Sequence, residues 1–273
     1  MVKVGLVLSG GGARGFAIIG ALKVLKKNGI KVDSISGCSI GALVGACYAH
    51  DQDPDAIEEL LIKIKDKRDV YDYAFSTKGL IKGDRLEQYI IEYFTTNPKK
   101  LIEFEDLKIP LVINATDIVN QKEIVFDKGP LIKAVMASLS YPGFFTTRKV
   151  KNVLCVDGGV VNPLPFDLIR EVDYMIMVDV SKQNIKINED SNFKDIVLQA
   201  TLAMQRTIVD KSLESCSIPY TVISPEVEYH GILEFDDLAE LTKKGELEAQ
   251  KHIEKIKRDI EGLEKGKSKA VRV

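Results

Sequence analysis

The feature that most constrains this fold is a short apolar segment that ends in three consecutive glycines and is followed by a helical pattern. Residues 2–8 are rich in Val and Leu, which is typical of a strand covered on both faces of a sheet. After the glycines at 10–12, apolar side chains in residues 15–28 recur at helical spacing. The order then repeats, with a second strand predicted over 30–36 and a second helix over 40–49. This β-α-β-α order predicts an α/β fold with a parallel sheet.

The remaining elements are predicted from the same periodicities and from the turn residues between them. Strands are expected over 109–118 and 123–126, which form a pair, and over 153–156, 174–180 and 220–223. Helices are expected over 53–65, from Asp84 as the cap through Phe94, over 130–138, near 163–170 and over 192–215. Residues 71–83 are predicted to form a loop between two helices, which makes them a candidate lid.

Composition excludes several classes of function. The chain has 273 residues, of which 45% are hydrophobic, and a net charge of -2, so it can bury a large core but has no field that attracts nucleic acid. The four cysteines are far apart and only three histidines are present, so neither a disulfide framework nor a metal site is expected. Neither a transmembrane helix nor a signal peptide is predicted, because no run of 18 apolar residues occurs and the first residues fit a buried strand better, and the expected compartment is the cytoplasm.

The sequence divides into a main domain over residues 1–235 and a charged C-terminal helix with a basic tail over 236–273. Ile253, Ile256, Ile260 and Leu263 repeat at helical spacing along this helix. Two interpretations of this apolar seam remain, packing on its own domain or contact between two copies in a homo-oligomer. The final nine residues hold four cations and no anion, and we expect a frayed tail that contacts anionic lipid weakly.

A second glycine motif, Gly37-Cys38-Ser39-Ile40-Gly41, lies between the second predicted strand and the second predicted helix. This G-x-S-x-G pattern at a strand-to-helix turn is the setting of a nucleophile elbow. The turn is sharp, so the flanking residues must be small, and the first amides of the new helix point at the serine. Ser39 is therefore the candidate nucleophile, whereas the Cys38 side chain is expected to point away from the apex.

A serine nucleophile needs a base, and the chain offers two arrangements. Asp157 ends a predicted strand, at the carboxyl edge where α/β proteins place ligands, and Gly158 and Gly159 let another segment approach its carboxylate. The same Asp-Gly-Gly sequence is also ordinary turn chemistry. His230 completes a Ser–Asp–His order. The other two histidines are less suitable, because one lies about 16 Å from Ser39 along the second helix and one lies in the charged C-terminal helix.

Taken together, these motifs make the chain resemble the patatin-like phospholipases. The segments that carry the resemblance are LVLSGGGARGFAIIGAL, SGCSIGAL, AVMASLSYPGFF and VDGGVVNPLP, within residues 3–180. The resemblance implies a three-layer α/β/α sandwich with a mostly parallel central sheet, hydrolysis of fatty-acyl esters of lipids or phospholipids, and no cofactor. It implies Ser39 as nucleophile and Asp157 as proton acceptor, without a histidine. The chain departs from the family pattern at Ile18, where members often have His, and at Thr146-Thr147, where many have Pro.

The resemblance also implies a role for the glycine loop. Its members Gly10, Gly11 and Gly12 are expected to form an oxyanion hole, to which the Ile40 amide is a candidate addition. With Gly15, the loop also fits the G-x-G-x-x-G pattern of dinucleotide-binding proteins. In those proteins an acid at the end of the second strand binds the ribose, whereas Asp33 lies early in that strand. The loop therefore fits an oxyanion better than a pyrophosphate.

Several alternatives stay open at this stage. Arg14 either binds a substrate phosphate or stabilises the glycine loop by pairing with a carboxylate. Residues 141–145 either line an acyl groove or belong to the core. The rival functions are a Ser–Asp–His hydrolase that uses His230, a non-catalytic lipid-binding or regulatory protein, and a dinucleotide-binding protein. The expected partners are a lipid or acyl-ester substrate and, transiently, an anionic membrane surface.

Overall fold

The computed structural model of the chain describes residues 1–66, 73–76, 79–95, 102–182, 187–227 and 237–270. The strands in these residues are β1 Val4–Leu8, β2 Ser34–Gly37, β3 Tyr73–Ser76, β4 Gly79–Ile81, β5 Leu111–Asp117, β6 Lys122–Phe126, β7 Arg148–Val150, β8 Val153–Asp157, β9 Tyr174–Val178 and β10 Tyr220–Ile223. The helices are α1 Gly15–Lys27, α2 Ile40–Asp51, α3 Pro54–Asp66, α4 Asp84–Phe94, α5 Leu131–Ser138, α6 Phe193–Leu213 and α7 Leu238–Ala270.

One sheet holds most of the strands, in the order β10-β9-β1-β2-β5-β8-β7, with β6 also paired to β5. The strands β10, β9, β1, β2 and β5 are all parallel, whereas β6 and β8 run antiparallel to β5. Helices cover both faces of this sheet. The predicted three-layer α/β/α sandwich with a mostly parallel sheet is therefore confirmed.

The two faces of the sheet are covered very unequally. Alternation along β1 sends Leu6 and Leu8 into a large apolar core that includes residues of α1, α2, α3, α4, α5 and α7. Val7 faces the other way, into a small cluster with β9, the segment 164–169 and Val209 of α6. The third layer near the site is therefore thin, because α6 buries only Leu202 and Val209.

The strands β2 and β8 meet end to end on one edge of β5. Ile113 pairs with both β2 and β6, and Ala115 pairs with both β8 and β6, so β2 and β8 must share the edge that β6 does not occupy. Because β2 runs parallel to β5 and β8 antiparallel, their carboxyl ends point toward each other. Gly37 lies level with Ile113, and Asp157 lies level with Ala115. Asp157 therefore lies at the carboxyl end of β2, although the strand that carries it runs in the opposite direction.

The helix α7 packs lengthwise against α1. Ile253 and Ile256 of the predicted seam are fully buried in the large core, and Ile260 and Leu263 pack against it. The two helices approach so closely at Gly20 and Gly245 that a side chain there would overlap the backbone of the other helix. The apolar seam is therefore covered within the chain.

Several predicted elements differ in the structure. The second strand begins at Ser34 rather than at residue 30, because α1 ends in a turn at Gly29, whose φ is 69°, and the pairing with β1 starts only at Ser34. The helix expected near 163–170 is only one 3-10 turn, Phe166–Leu168, because Pro163 and Pro165 supply no amide donors. Asp84 does not cap α4, since the capping position is Gly83 and Asp84 lies in the first turn.

Two further segments correct the sequence analysis. Residues 71–83 were predicted as a loop, but their described part contains the hairpin of β3 and β4, so strand pairing replaces the expected irregular structure. The basic tail was expected to fray, yet α7 continues through Ala270, because Lys residues propagate a helix well. Among the described helices, none combines the length and the apolar character that crossing a bilayer requires.

Candidate active site

Ser39 occupies a strained turn between β2 and α2. Its φ of 55° and ψ of -124° are rare for a residue with a side chain, and it is the residue before the first turn of α2. The turn needs small neighbours: a Cβ on Gly37 would lie 2.5 Å from the Gly41 carbonyl oxygen, and one on Gly41 would lie 2.4 Å from the Leu8 carbonyl oxygen. The strand-to-helix turn expected from the G-x-S-x-G pattern is therefore present, with the serine at its apex.

Asp157 lies directly against this serine. The Ser39 hydroxyl donates a hydrogen bond of 2.5 Å to Asp157 Oδ2, and the Gly159 amide donates one of 2.7 Å to Asp157 Oδ1. The backbone of Asp157 is fixed on both sides, because its amide donates to the Ser140 carbonyl oxygen and its carbonyl oxygen accepts from the Thr116 hydroxyl. The two residues, 118 positions apart in the chain, are thus within proton-transfer distance.

The carboxyl group of Asp157 is nearly removed from water. The residue is 1% exposed, and this burial raises its pKa to about 6, although the hydrogen bonds from Ser39, Gly159 and Cys38 oppose the rise. The higher pKa makes the carboxylate a better proton acceptor than an exposed aspartate at neutral pH. Burial also raises the pKa of the Cys38 thiol, well above its usual range, and the Asp157 charge adds to the effect. Cys38 therefore stays a thiol and is a poor nucleophile.

A polar network beneath Asp157 was not found from the sequence. Asn114 of β5 donates to the carbonyl oxygens of Gly158 and Asn162 and to the Glu123 carboxylate, so it supports the turn that carries the aspartate. A Cβ on Gly158 would lie 2.4 Å from Asn114 Oδ1, which explains the glycine. Asn114 sits within an apolar strand and belongs to no motif, so only its polarity at a buried strand position hints at a role.

Two further hydrogen bonds hold the site and were also missed. The Ser39 amide donates a bond of 2.7 Å to the hydroxyl of Ser138, a buried residue at the end of α5. The Gln205 side chain of α6 donates a bond of 2.8 Å to the Gly159 carbonyl oxygen. Ser138 belongs to the segment AVMASLSYPGFF, which carries part of the family resemblance, whereas α6 carries no motif that marks Gln205.

The glycine loop packs against the serine turn, but its members differ in what their amides do. The Gly10 amide donates to the Pro163 carbonyl oxygen at 3.1 Å, so Gly10 has no amide to offer an oxyanion, which corrects its expected role. Within the described residues, the amides of Gly11, Gly12 and Ile40 form no hydrogen bond. Gly12 needs to be glycine because its φ is 58°.

Arg14 stabilises the glycine loop. The side chain is 1% exposed, and it donates to the Gly11 carbonyl oxygen at 3.0 Å, to that of Ser181 at 3.4 Å and to that of Lys182 at 2.5 Å. These bonds connect the loop to the segment after β9 through backbone carbonyl oxygens, which favours the loop-stabilising role over the binding of a substrate phosphate. The next residue, Gly15, needs to be glycine because a Cβ there would lie 2.3 Å from the Ile40 side chain.

Ser39 and Asp157 open into an apolar pocket. Leu43, Leu61, Ile64, Leu86 and Phe145 are among the side chains that line it, together with Gly10, Gly11, Gly12 and Gly159. Such a pocket suits a hydrocarbon chain better than a charged ligand. Of residues 141–145, Tyr141 and Phe145 line the pocket, so the acyl-groove interpretation fits these two side chains.

The histidines do not contribute to this arrangement in the described part of the chain. The His50 ring packs edge-on against Phe94, and His252 contacts Glu248 on α7. His230 lies outside the described residues. Asp33 precedes β2, at the end of the strand away from the glycine loop, and accepts the Val4 amide. Among the described residues, no cluster of His, Cys, Asp and Glu suits a metal ion.

Comparisons with known proteins give the family of the chain. A family model described as patatin-like phospholipase matches residues 6–169. An uncharacterized NTE family protein of Mycobacterium tuberculosis is 31% identical over 180 residues, which cover 66% of this chain and 49% of the relative. Neuropathy target esterase sws of Drosophila melanogaster is 31% identical over 191 residues, which cover 67% of this chain and 13% of the relative.

A third relative, lysophospholipase NTE1 of Candida albicans, is 30% identical over 184 residues, which cover 65% of this chain and 13% of the relative. The chain thus matches about half or less of the length of these relatives. The crystal structure of VipD from Legionella pneumophila superposes with a TM-score of 0.60 at 13% identity, over 93% of this chain and 67% of VipD, which shows a shared fold. Since the family model spans more than half of the chain and the fold agrees, this chain belongs to the patatin-like phospholipase family.

Proposed function

We propose that this chain is a serine acyl hydrolase of lipid esters, with Ser39 as nucleophile and Asp157 as proton acceptor. The observation that carries the proposal is the direct hydrogen bond of 2.5 Å between Ser39 Oγ and Asp157 Oδ2, beside an apolar pocket. Family membership supports an ester hydrolase, and the names of two relatives, a lysophospholipase and an esterase, agree with that chemistry. The pocket lining supports a fatty-acyl group as the part of the substrate that is bound.

The proposed reaction has two halves. Asp157 accepts the hydroxyl proton as Ser39 Oγ attacks the ester carbonyl, and the resulting oxyanion accepts hydrogen bonds from the amides of Gly11, Gly12 and Ile40. Each well-aimed donor contributes about 3 kcal/mol. The alcohol leaves with the proton from Asp157, and the acyl group stays on Ser39. Water then gives a proton to the same carboxylate as it attacks the acyl carbon, and this proton passes from Asp157 to Ser39 Oγ as the fatty acid leaves.

The geometry argues against all three rival functions. In a serine–histidine–aspartate triad the imidazole lies between the other two side chains, whereas here Ser39 contacts Asp157 directly. A dinucleotide-binding protein needs an acid at the end of the second strand, and Asp33 lies before the start of β2. A non-catalytic lipid-binding protein would have no use for a carboxyl group buried against a strained serine, since both features cost stability.

Contact with a lipid surface is part of the proposal. The substrate of such an enzyme is held in an aggregate, and Leu202 and Gln205 of α6 line the pocket. The outer side of the same helix exposes Phe193, Val197 and Met204 to solvent. These side chains support contact with a lipid surface, in addition to the weak attraction of the basic tail for anionic lipid. A homo-oligomer and a cytoplasmic location stay predictions.

The test is hydrolysis of a series of short and long acyl esters by the wild type, Ser39→Ala and Asp157→Asn. We expect both variants to lose activity by about 10³-fold or more, and Ser39→Ala to lose covalent labelling by a fluorophosphonate. Ser36→Ala is the matched control, because its buried hydroxyl has no hydrogen-bond partner among the described residues. Equal rates in the wild type and both site variants would remove the proposal.

The same assay separates the dyad from the triad. With Asp157 as the only base, His230→Ala is expected to keep most of its activity, whereas a triad predicts a loss as large as that of Ser39→Ala. A titration with NAD and NADP tests the dinucleotide alternative, for which we expect no binding.

A further inference from the structure

The Tyr141 hydroxyl is a buried polar group that the proposed mechanism does not use. Its oxygen is shielded from solvent and has no hydrogen-bond partner among the described residues. The side chain lines the pocket together with Ser39 and Asp157. A buried hydroxyl without a partner costs stability, so its retention at a pocket wall points to a ligand atom that completes the bond.

The backbone around Tyr141 is fixed close to Asp157. The carbonyl oxygen of the preceding residue, Ser140, accepts the Asp157 amide at 2.9 Å. The carbonyl oxygen of Tyr141 itself accepts the amides of Phe144 and Phe145, at 3.1 Å and 3.0 Å, and its ring contacts the Phe144 ring at a centroid distance of 5.9 Å. The segment that carries this pocket-lining ring is therefore fixed beside Asp157.

We propose, as an extension of the proposed function, that the Tyr141 hydroxyl donates a hydrogen bond to the alkoxy oxygen of the scissile ester. When the bond between the acyl carbon and this oxygen breaks, the electron pair passes to the oxygen, and the proton taken from Ser39 follows from Asp157. Tyr141 keeps its own proton and stabilises the negative charge that develops before that proton arrives.

The position and chemistry of the group favour this role over that of an oxyanion-hole donor. The amides suited to the oxyanion have no hydrogen-bond partner among the described residues and belong to the glycine loop and to Ile40. Tyr141 instead follows Ser140, whose carbonyl oxygen accepts the Asp157 amide, and Asp157 delivers the proton to the leaving oxygen. Burial raises the pKa of Tyr141, and the Asp157 charge adds to the rise, so the phenol remains a donor.

The test compares Tyr141→Phe with the wild type on two esters of one fatty acid that differ only in the leaving alcohol. On an ethyl ester, whose alkoxide leaves poorly, we expect kcat/KM to fall on the order of 10²-fold. On a p-nitrophenyl ester, whose phenolate leaves without help, we expect a fall of about threefold or less. Thermal unfolding is expected at the same temperature or higher, since the variant removes an unpaired buried hydroxyl.

Tyr220→Phe makes the same chemical change far from the pocket and is expected to leave both rates unchanged. An equal loss on the two esters would overturn the inference and assign Tyr141 to packing, and so would unchanged rates on both. Either result leaves the proposed function intact as long as Ser39→Ala is inactive, whereas an active Ser39→Ala enzyme removes the proposed function itself.

Discussion

At the scale of single residues, burial of the Asp157 carboxyl group makes it a better base and lowers the stability of the fold. Burial disfavours the charged form of Asp157, and the same burial raises its pKa to about 6, toward the range in which a base works best. The hydrogen bonds from Ser39 and Gly159 reduce the cost of the charge without cancelling it. Activity and stability of this chain should therefore depend on pH in opposite directions.

Activity is expected to rise with pH through the pKa of Asp157. Only the carboxylate accepts the Ser39 proton, so kcat/KM should fall about tenfold per pH unit below the pKa of about 6 and level off above it. A rate profile on a neutral ester between about pH 4.5 and 8 gives the apparent pKa, and tyrosine fluorescence over the same range shows that the fold persists. A profile that stays nearly flat down to about pH 4.5, as an exposed aspartate with a pKa of about 3.9 would produce, would contradict the assignment.

Replacement of Asp157 by Asn is expected to raise the free energy of unfolding, although it removes activity. The amide fits the same two partners but carries no charge, whereas the wild type with ionised Asp157 is less stable than with the neutral form. A rise of the carboxyl pKa from 3.8 to about 6 corresponds to about 3 kcal/mol of unfolding free energy. Asp157→Asn should therefore be more stable than the wild type above the folded pKa, by up to about this amount.

This advantage should disappear as pH falls from about 6 to about 4, because the wild type then binds the proton itself. Urea unfolding at several pH values measures the difference. If the wild type is the more stable protein at pH values above the folded pKa, then the carboxylate is stabilised by its surroundings, and the pKa assignment is wrong.

At the scale of elements, the sequence predicted each half of the site but not how the halves meet. The elbow follows from small residues between a strand and a helix. In the structure, a Cβ added at Gly37 or at Gly41 would overlap backbone atoms. The direction of β8 was not predictable, because an isolated strand pattern is the same for parallel and antiparallel pairing. The abutment of β2 and β8 on one edge of β5 depends on register, which only the tertiary contacts set.

For helix α7, the sequence predicts the apolar seam but not the closest contact with α1. Glycine inside a helix usually weakens it, so neither Gly20 nor Gly245 was marked as important. In the structure a Cβ on Gly245 would lie 1.9 Å from the Ala17 carbonyl oxygen of α1. The two glycines are required by the approach of two backbones, a property of the pair of helices.

The close contact between α1 and α7 predicts that a glycine-to-alanine substitution has opposite effects at two positions of α7. Gly245→Ala should lower the free energy of unfolding by about 2 kcal/mol or more, because α1 and α7 must separate. Gly262→Ala, on the same helix, meets no atom within 4 Å and should raise it by about 0.5–1 kcal/mol through helix propensity. Urea unfolding followed by circular dichroism gives both values. Two stabilised variants would mean that α7 does not pack on α1 in solution.

At the scale of the whole molecule, the unequal layers leave one helix exposed beside the pocket. The helix α6 buries only Leu202 and Val209, and at helical spacing Phe193, Val197 and Met204 line up on the opposite side. Phe193 is 78% exposed and Met204 is 59% exposed. Large apolar side chains in this arrangement mark a surface that another apolar phase covers. Since the inner side of α6 lines the pocket, that phase is expected to be the lipid that holds the substrate.

The combined variant Phe193→Ser and Met204→Ser is therefore expected to bind neutral phosphatidylcholine vesicles on the order of 10²-fold more weakly than the wild type or worse, since each side chain contributes about 1.5–3 kcal/mol when fully buried. Hydrolysis of a soluble short-chain ester should not change, because neither side chain lines the pocket. Leu247→Ser on α7, where the leucine is 54% exposed, is the control for loss of an exposed apolar side chain. Cosedimentation at low and high salt with vesicles that also contain anionic phosphatidylserine separates the two proposed contacts, since binding through α6 should resist salt and binding through the basic tail should not. Wild-type vesicle binding by the double variant, together with loss of binding at high salt, would move the lipid contact from α6 to the tail.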